Sequence, residues 1–135
     1  MIYKPFQDLK LSALGMGAMR LPIVDGVFTD IDVPAVEKMV DYAVGHGVNY
    51  FDTAYPYHGG MSERVIGRVL KDYDRQSFYL ATKYPGHQIS DSYDPAAIFE
   101  EQLRNCGVEY FDFYLLHNVY EKSVETCLLY TSDAA

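Results

Sequence analysis

From Asp32 onward, apolar residues alternate between two rhythms, one suited to amphipathic helices and one to short buried strands. Val36, Met39/Val40 and Ala43/Val44 recur at three- and four-residue spacing, which gathers them on one helical face. Asp32 offers an N-cap, Pro34 suits the first turn and Gly47 supplies a stop, so a helix is predicted between them. The β-branched and aromatic run Val48–Asp52 reads as a strand. Ser62 offers the cap of a second helix, striped by Val65/Ile66, Val69/Leu70 and Tyr73, and Phe78–Lys83 forms the next strand. Asp94 with Pro95 opens a third helix, with Ile98/Phe99, Leu103 and Cys106 as its stripe and Gly107 as its stop. Val108–His117 holds the fourth strand.

The stretch before Asp32 is different. Met1–Pro5 and Leu9–Ser12 read as extended pieces around a turn at Gln7 and Asp8, hence a hairpin. Ala13–Ala18, with Gly15 and Gly17, reads as a short strand that another backbone approaches closely. Residues 22–32 form a polar loop with a turn at Asp25-Gly26. Strand–helix units of about thirty residues imply a parallel sheet with crossover helices. This α/β grammar fits both an open doubly wound sheet and half of a (β/α)8 barrel.

Composition narrows the function classes. The 135 residues are 49% hydrophobic and 22% charged, an ordinary globular balance. With 19 acidic and 11 basic residues the net charge is −8, and no basic cluster offsets it, which disfavours nucleic acid as a partner. No apolar run approaches the ~18 residues of a membrane span, and the first residues carry no signal-peptide core, so no membrane partner and a cytoplasmic location are expected. Cys106 and Cys127 lie far apart, and a reduced thiol pair is the simplest reading.

Chemistry concentrates at one edge. Asp52, Lys83 and His117 stand at the C-terminal ends of successive predicted strands, which is the functional edge of parallel α/β folds. Tyr57, five residues beyond Asp52, hangs over the same edge. A phenol ordinarily ionises near pH 10, too high for efficient proton exchange at neutrality. A lysine cation beside it stabilises the phenolate, a carboxylate keeps that lysine charged, and a histidine can orient a carbonyl oxygen. This set suits proton delivery to a carbonyl while a hydride arrives from elsewhere. No side chain donates hydride, so a nicotinamide cofactor is the natural partner.

Four segments carry a resemblance. Asn49–Glu63 resembles the aldo-keto reductase signature, in which Asp-Thr-Ala-x-x-Tyr-Gly follows the second barrel strand. Leu80–Lys83 is similar to that family's third-strand motif, Asp112–His117 to its fourth, and Leu14–Pro22 to its opening strand and first cofactor loop. The resemblance implies a TIM barrel, present here as an N-terminal hairpin and about four βα units, a half barrel. It implies NADP(H) as cofactor, a preference for NADP that rests on the resemblance alone, and a small-molecule carbonyl as substrate, left open between aldehyde, ketone, sugar and quinone. By the same resemblance Tyr57 is the general acid, Lys83 tunes it, Asp52 pairs with Lys83 and contacts cofactor, and His117 orients the carbonyl. Met19 and Arg20 match cofactor-approaching positions in the first loop. His58 stands where many members have glycine, a departure read as minor. The Pro56–Gly60 loop resembles a bacterial and archaeal branch that often carries a C-terminal iron–sulfur segment; the chain contains no such segment and no cluster is expected.

A (β/α)8 barrel takes about 250 residues, so residues 1–125 are read as its N-terminal half. Ser123–Glu125 could begin a fourth helix, but Cys127–Ala135 departs from the family pattern and resembles a translated adapter sequence, so residues 126–135 are read as a non-native tail. A half barrel leaves open sheet edges, and the polypeptide alone is expected to be marginally stable, self-associating or molten, with negligible turnover.

Three other readings compete. A Rossmann domain needs a third glycine where Arg20 stands and a helix where none is predicted. A metal-dependent hydrolase needs clustered ligands, yet His46, His58, His87 and His117 show no ligand pairing, and His46 and His87 read as solvated. A regulatory or cofactor-binding protein on the aldo-keto reductase scaffold, without turnover, is the strongest of these, and the complete set Asp52, Tyr57, Lys83 and His117 argues against it.

Overall fold

The computed structural model describes residues 1–86 and 94–121. His87, Ser123–Glu125, Cys127 and the whole 126–135 tail lie outside the described residues. The chain opens with an antiparallel hairpin, β1 (Tyr3–Phe6) and β2 (Leu9–Ser12), turned by Gln7 at a φ of 53°. A parallel sheet follows, built from β3 (Met16–Gly17), β4 (Tyr50–Asp52), β5 (Tyr79–Tyr84) and β6 (Phe113–Leu116), with α1 (Val33–Gly45), α2 (Met61–Leu70) and α3 (Pro95–Cys106) as its crossovers. The strands lie side by side in chain order, β3-β4-β5-β6. A doubly wound sheet reverses its order at a switch point, whereas a barrel advances one strand at a time. Among the described residues the order never reverses, which is the barrel pattern.

Two predicted caps form as expected. Asp32 accepts from the Ala35 N–H, and Asp94 accepts from those of Ala96 and Ala97. Gly107 ends α3 in the left-handed conformation at a φ of 63°. The expected cap of α2 does not. Ser62 is its second residue, Gly60 holds the cap position, and the Ser62 hydroxyl serves the site described below. Met39 is also corrected: it is exposed, and α1 buries Val36 and Val40 instead. On α3 the buried residues are Ile98, Gln102 and Cys106, so a glutamine is fully buried where Leu103, partly covered, was expected to lead.

The core lies between sheet and helices, with Phe51 and Leu80 from β4 and β5 against Val36, Val40, Ile66 and Val69. The other sheet face carries aromatic rings. Phe113 packs against Tyr50 at 5.3 Å and Tyr79 at 6.4 Å between centroids, and Phe6 of the hairpin meets Phe113 at 5.8 Å. Asn49 fastens the hairpin from the start of β4, accepting from the Ser12 N–H at 2.7 Å and donating to the Lys10 carbonyl at 2.9 Å. The hairpin thus lies at the N-terminal end of the strands, leaving the C-terminal end open for chemistry.

Candidate active site

Parallel register places the charged pair. Asp52 stands opposite Ala81, and Lys83 lies two residues farther along β5, on the same face. Lys83 Nζ therefore reaches back to Asp52 Oδ1 at 2.5 Å and donates to the Thr53 carbonyl at 2.7 Å. Both side chains are mostly covered, 15% and 28% exposed, so solvent screens the pair weakly. The same ammonium sits 4.9 Å from the centre of the Tyr57 ring. His117, held at the end of β6 by its N–H to the Tyr84 carbonyl at 3.0 Å, meets the Tyr57 ring edge-on at 5.5 Å. The four residues predicted as catalytic are brought together at one end of the sheet.

The loop that presents Tyr57 is tightly folded. Its N–H bonds to the Ala54 carbonyl, and His58, Gly59 and Gly60 follow with φ of 52°, 63° and 90°, three consecutive left-handed residues. Two glycines make that turn accessible. Below it the Thr53 and Ser62 hydroxyls pair at 2.9 Å, and Ser62 also donates to the Ala18 carbonyl at 3.1 Å, joining β4, α2 and the first loop. Met19 and Arg20 lie in that first loop, just after β3, and both are exposed. The adjoining Ala18 N–H bonds to the Asp52 carbonyl, so this loop departs from the same sheet edge.

The residue pattern did not reveal the polar network behind Lys83. Glu63, fully buried on α2, accepts from the Thr82 hydroxyl at 2.7 Å, Gln102 Nε2 at 2.7 Å and Asn105 Nδ2 at 3.1 Å. Gln102 also donates to the Lys83 carbonyl at 3.1 Å and accepts from the Tyr114 hydroxyl at 2.6 Å. The network fixes the backbone of Lys83 from the helix side. Its signal was present: Glu63, Ile66 and Leu70 share one stripe, and so do Ile98, Gln102 and Cys106. A charge or amide on an apolar stripe needs a buried partner.

Burial pushes the Glu63 carboxyl above its ordinary 4.5; hydrogen bonds from Thr82, Gln102 and Asn105 oppose this, and the nearby Glu101 adds to the rise. The native protein therefore holds this proton more tightly than the unfolded chain. The stabilisation is full below the unfolded value and is lost as pH rises through the folded one. Glu63→Gln is expected to gain stability relative to the parent as pH rises through the mildly acidic range. Urea midpoints measured across that range would contradict this if the difference stayed constant.

Comparison with known proteins agrees with this geometry. The model of the "Aldo/keto reductase family" matches residues 13–132. L-galactose dehydrogenase of Arabidopsis thaliana is 32% identical over 117 residues, covering 82% of this chain and 35% of that protein. The NADH-specific methylglyoxal reductase of Escherichia coli K12 is 28% identical over 130 residues, covering 82% of this chain and 39% of that protein. Among solved structures, aldo-keto reductase AKR11C1 from Bacillus halodurans in its holo form superposes with a TM-score of 0.70 at 27% identity, over 88% of this chain and 40% of that one. The chain thus spans well under half the length of these relatives, and its hairpin and βα units form a partial TIM barrel. By family match, fold and motif order, the chain belongs to the aldo/keto reductase family.

Proposed function

We propose that the complete protein reduces an aldehyde or ketone to an alcohol with NADP(H), and that Tyr57 is the proton donor. The observation that carries this reading is the Lys83–Asp52 pair at 2.5 Å with its ammonium 4.9 Å from the Tyr57 ring. A nicotinamide cofactor, when bound, supplies the hydride that these side chains cannot. Exposed Met19 and Arg20 and the carboxylate of Asp52 share the edge where it would be held, and Arg20 offers a cation for phosphate. The carbonyl oxygen takes the proton from the Tyr57 hydroxyl; the Lys83 ammonium faces the phenolate left behind, and Asp52 holds Lys83 in place there. His117 donates to the carbonyl oxygen and orients it. Solvent returns the proton to Tyr57 after the alcohol leaves.

Turnover should be absent from the 135-residue polypeptide itself. On the aromatic sheet face Leu115 is 39% exposed, and β3 and β6 end the sheet among the described residues. Unpaired strand edges beside apolar surface favour pairing between copies. The purified chain is expected to self-associate in sedimentation, and monomers that oxidise NADPH would contradict this.

The test of the function is titration of the complete protein with NADPH and NADH, followed by a panel of aldehydes and ketones. Alcohol formed in step with NADPH consumed supports the reading. Tight cofactor binding with no alcohol from any carbonyl would favour a regulatory, cofactor-binding protein instead. No described helix is long and apolar enough to cross a membrane.

A further inference from the structure

Two segments far apart in the chain meet at His58. The residue is 2% exposed and holds a left-handed backbone, with φ 52° and ψ 39°. Its Nε2 accepts the Leu21 N–H at 3.0 Å, and its Nδ1 lies 2.8 Å from the Phe28 carbonyl oxygen. An amide N–H only donates and a carbonyl only accepts. Both bonds therefore require one species, the neutral imidazole with its proton on Nδ1. The ring also stacks on Phe28, centroids 4.7 Å apart and planes within 16°.

The neighbouring residue continues the seam. A Cβ added at Gly59 would stand 2.8 Å from Thr29 Cγ2, so the turn and the first loop touch without room for a side chain. The loop it grips is folded mainly on itself: Val24 N–H bonds to the Asp30 carbonyl, Val27 to Val24, Asp30 to Val27, and Asp32 to Pro22. Residues 23–30 are exposed, whereas Leu21 and Ile31 are buried at either side. His58 thus holds the loop at two points, the Leu21 amide where it begins and Phe28 near its far end.

We infer that His58 is a positioning residue that latches the first βα loop, bearing Met19 and Arg20, to the turn that presents Tyr57. The latch keeps the loop's backbone in fixed register with the tyrosine, through two bonds and one ring stack on a side chain adjacent to it. A glycine at this position could make none of these contacts. The consequence for cofactor binding rests on the function proposed above; the latch itself does not.

The test compares the complete protein with its variants His58→Phe, which keeps a stacking ring but loses both bonds, and His58→Gln, which restores an acceptor toward Leu21. Hydrogen exchange is followed in peptides covering residues 18–32 and, as an internal reference, α1. His58→Phe is expected to speed exchange in the 18–32 segment by at least about tenfold while α1 keeps its parental rate, and His58→Gln to recover much of the Leu21 protection. Equal acceleration in both segments would reduce His58 to a core filler and overturn the latch, as would no change in either. Nitrogen NMR of the imidazole gives an independent check: a proton on Nδ1 with Nε2 bare is expected, and a proton on Nε2 overturns the assignment. In the complete protein, His58→Phe is expected to raise the NADPH Kd about tenfold while kcat at saturating NADPH is retained. Faster exchange of 18–32 with unaltered NADPH binding would leave the latch standing and overturn its link to the cofactor.

Discussion

In the complete protein, Tyr57→Phe is expected to lower the rate of carbonyl reduction by at least about a hundredfold, the size of one acid–base contribution. That is about 2.7 kcal/mol of transition-state stabilisation. The substitution is narrow because phenylalanine keeps the ring. The edge-on contact with His117 at 5.5 Å and the ammonium of Lys83 at 4.9 Å both involve the ring, so neither is removed. What disappears is the hydroxyl proton alone. NADPH affinity is therefore expected to stay at the parental value while the chemical step slows. A rate unchanged in this variant would remove Tyr57 from the mechanism and leave His117 as the group to examine next.

The second large effect is on stability, at Gly67. Inside a helix, glycine-to-alanine usually stabilises by about 1 kcal/mol through propensity. Here the sterics oppose it. A Cβ at Gly67 would lie 2.2 Å from the Cys106 carbonyl oxygen and 2.5 Å from its carbonyl carbon and Cα. These are backbone atoms at the end of α3, which cannot swing aside as a side chain tip does. Relief requires α2 and α3 to separate, and Glu63, which bonds Gln102 and Asn105 across that seam, would be strained as they part. Overpacking typically costs about 1–3 kcal/mol, occasionally more. A rigid contact of this kind belongs at the upper end, so Gly67→Ala is expected to destabilise by about 2 kcal/mol net of the propensity gain. Urea denaturation of the complete protein checks it, and an alanine variant as stable as the parent would show that the helices part freely.

What could be read from the sequence divides along a physical line. Among the described residues, periodicity located α1, α2 and α3 through the stripes that hold Val36, Ile66 and Ile98, and Asp32 and Asp94 cap the first and third as expected. The clustering of Asp52, Lys83 and His117 was legible because parallel strands bring their C-terminal ends together whatever closes the far side, so it needed only the strand assignments. Whether the sheet was wound or barrelled was not legible in the local patterning, which does not encode strand order; the resemblance of the four motifs supplied the barrel. Ser62 was misread because a serine before an apolar run usually caps, whereas here left-handed Gly60 already turns the chain and frees the hydroxyl for Thr53 and Ala18. In the sequence His58 reads only as a small departure from the family's glycine. Its role depends on Leu21 and Phe28, 37 and 30 residues earlier, and no local rhythm links positions so far apart.

The most direct test of the central claim follows a label. The complete protein is given NADPH carrying deuterium at its transferable position together with an aldehyde or ketone, and the alcohol is analysed by mass spectrometry. The account predicts one deuterium on the carbinol carbon for each NADPH oxidised, with the rate depending on Tyr57, Lys83, Asp52 and His117. Bound NADPH that transfers no deuterium to any carbonyl, or transfers it equally well without the Tyr57 hydroxyl, would contradict it.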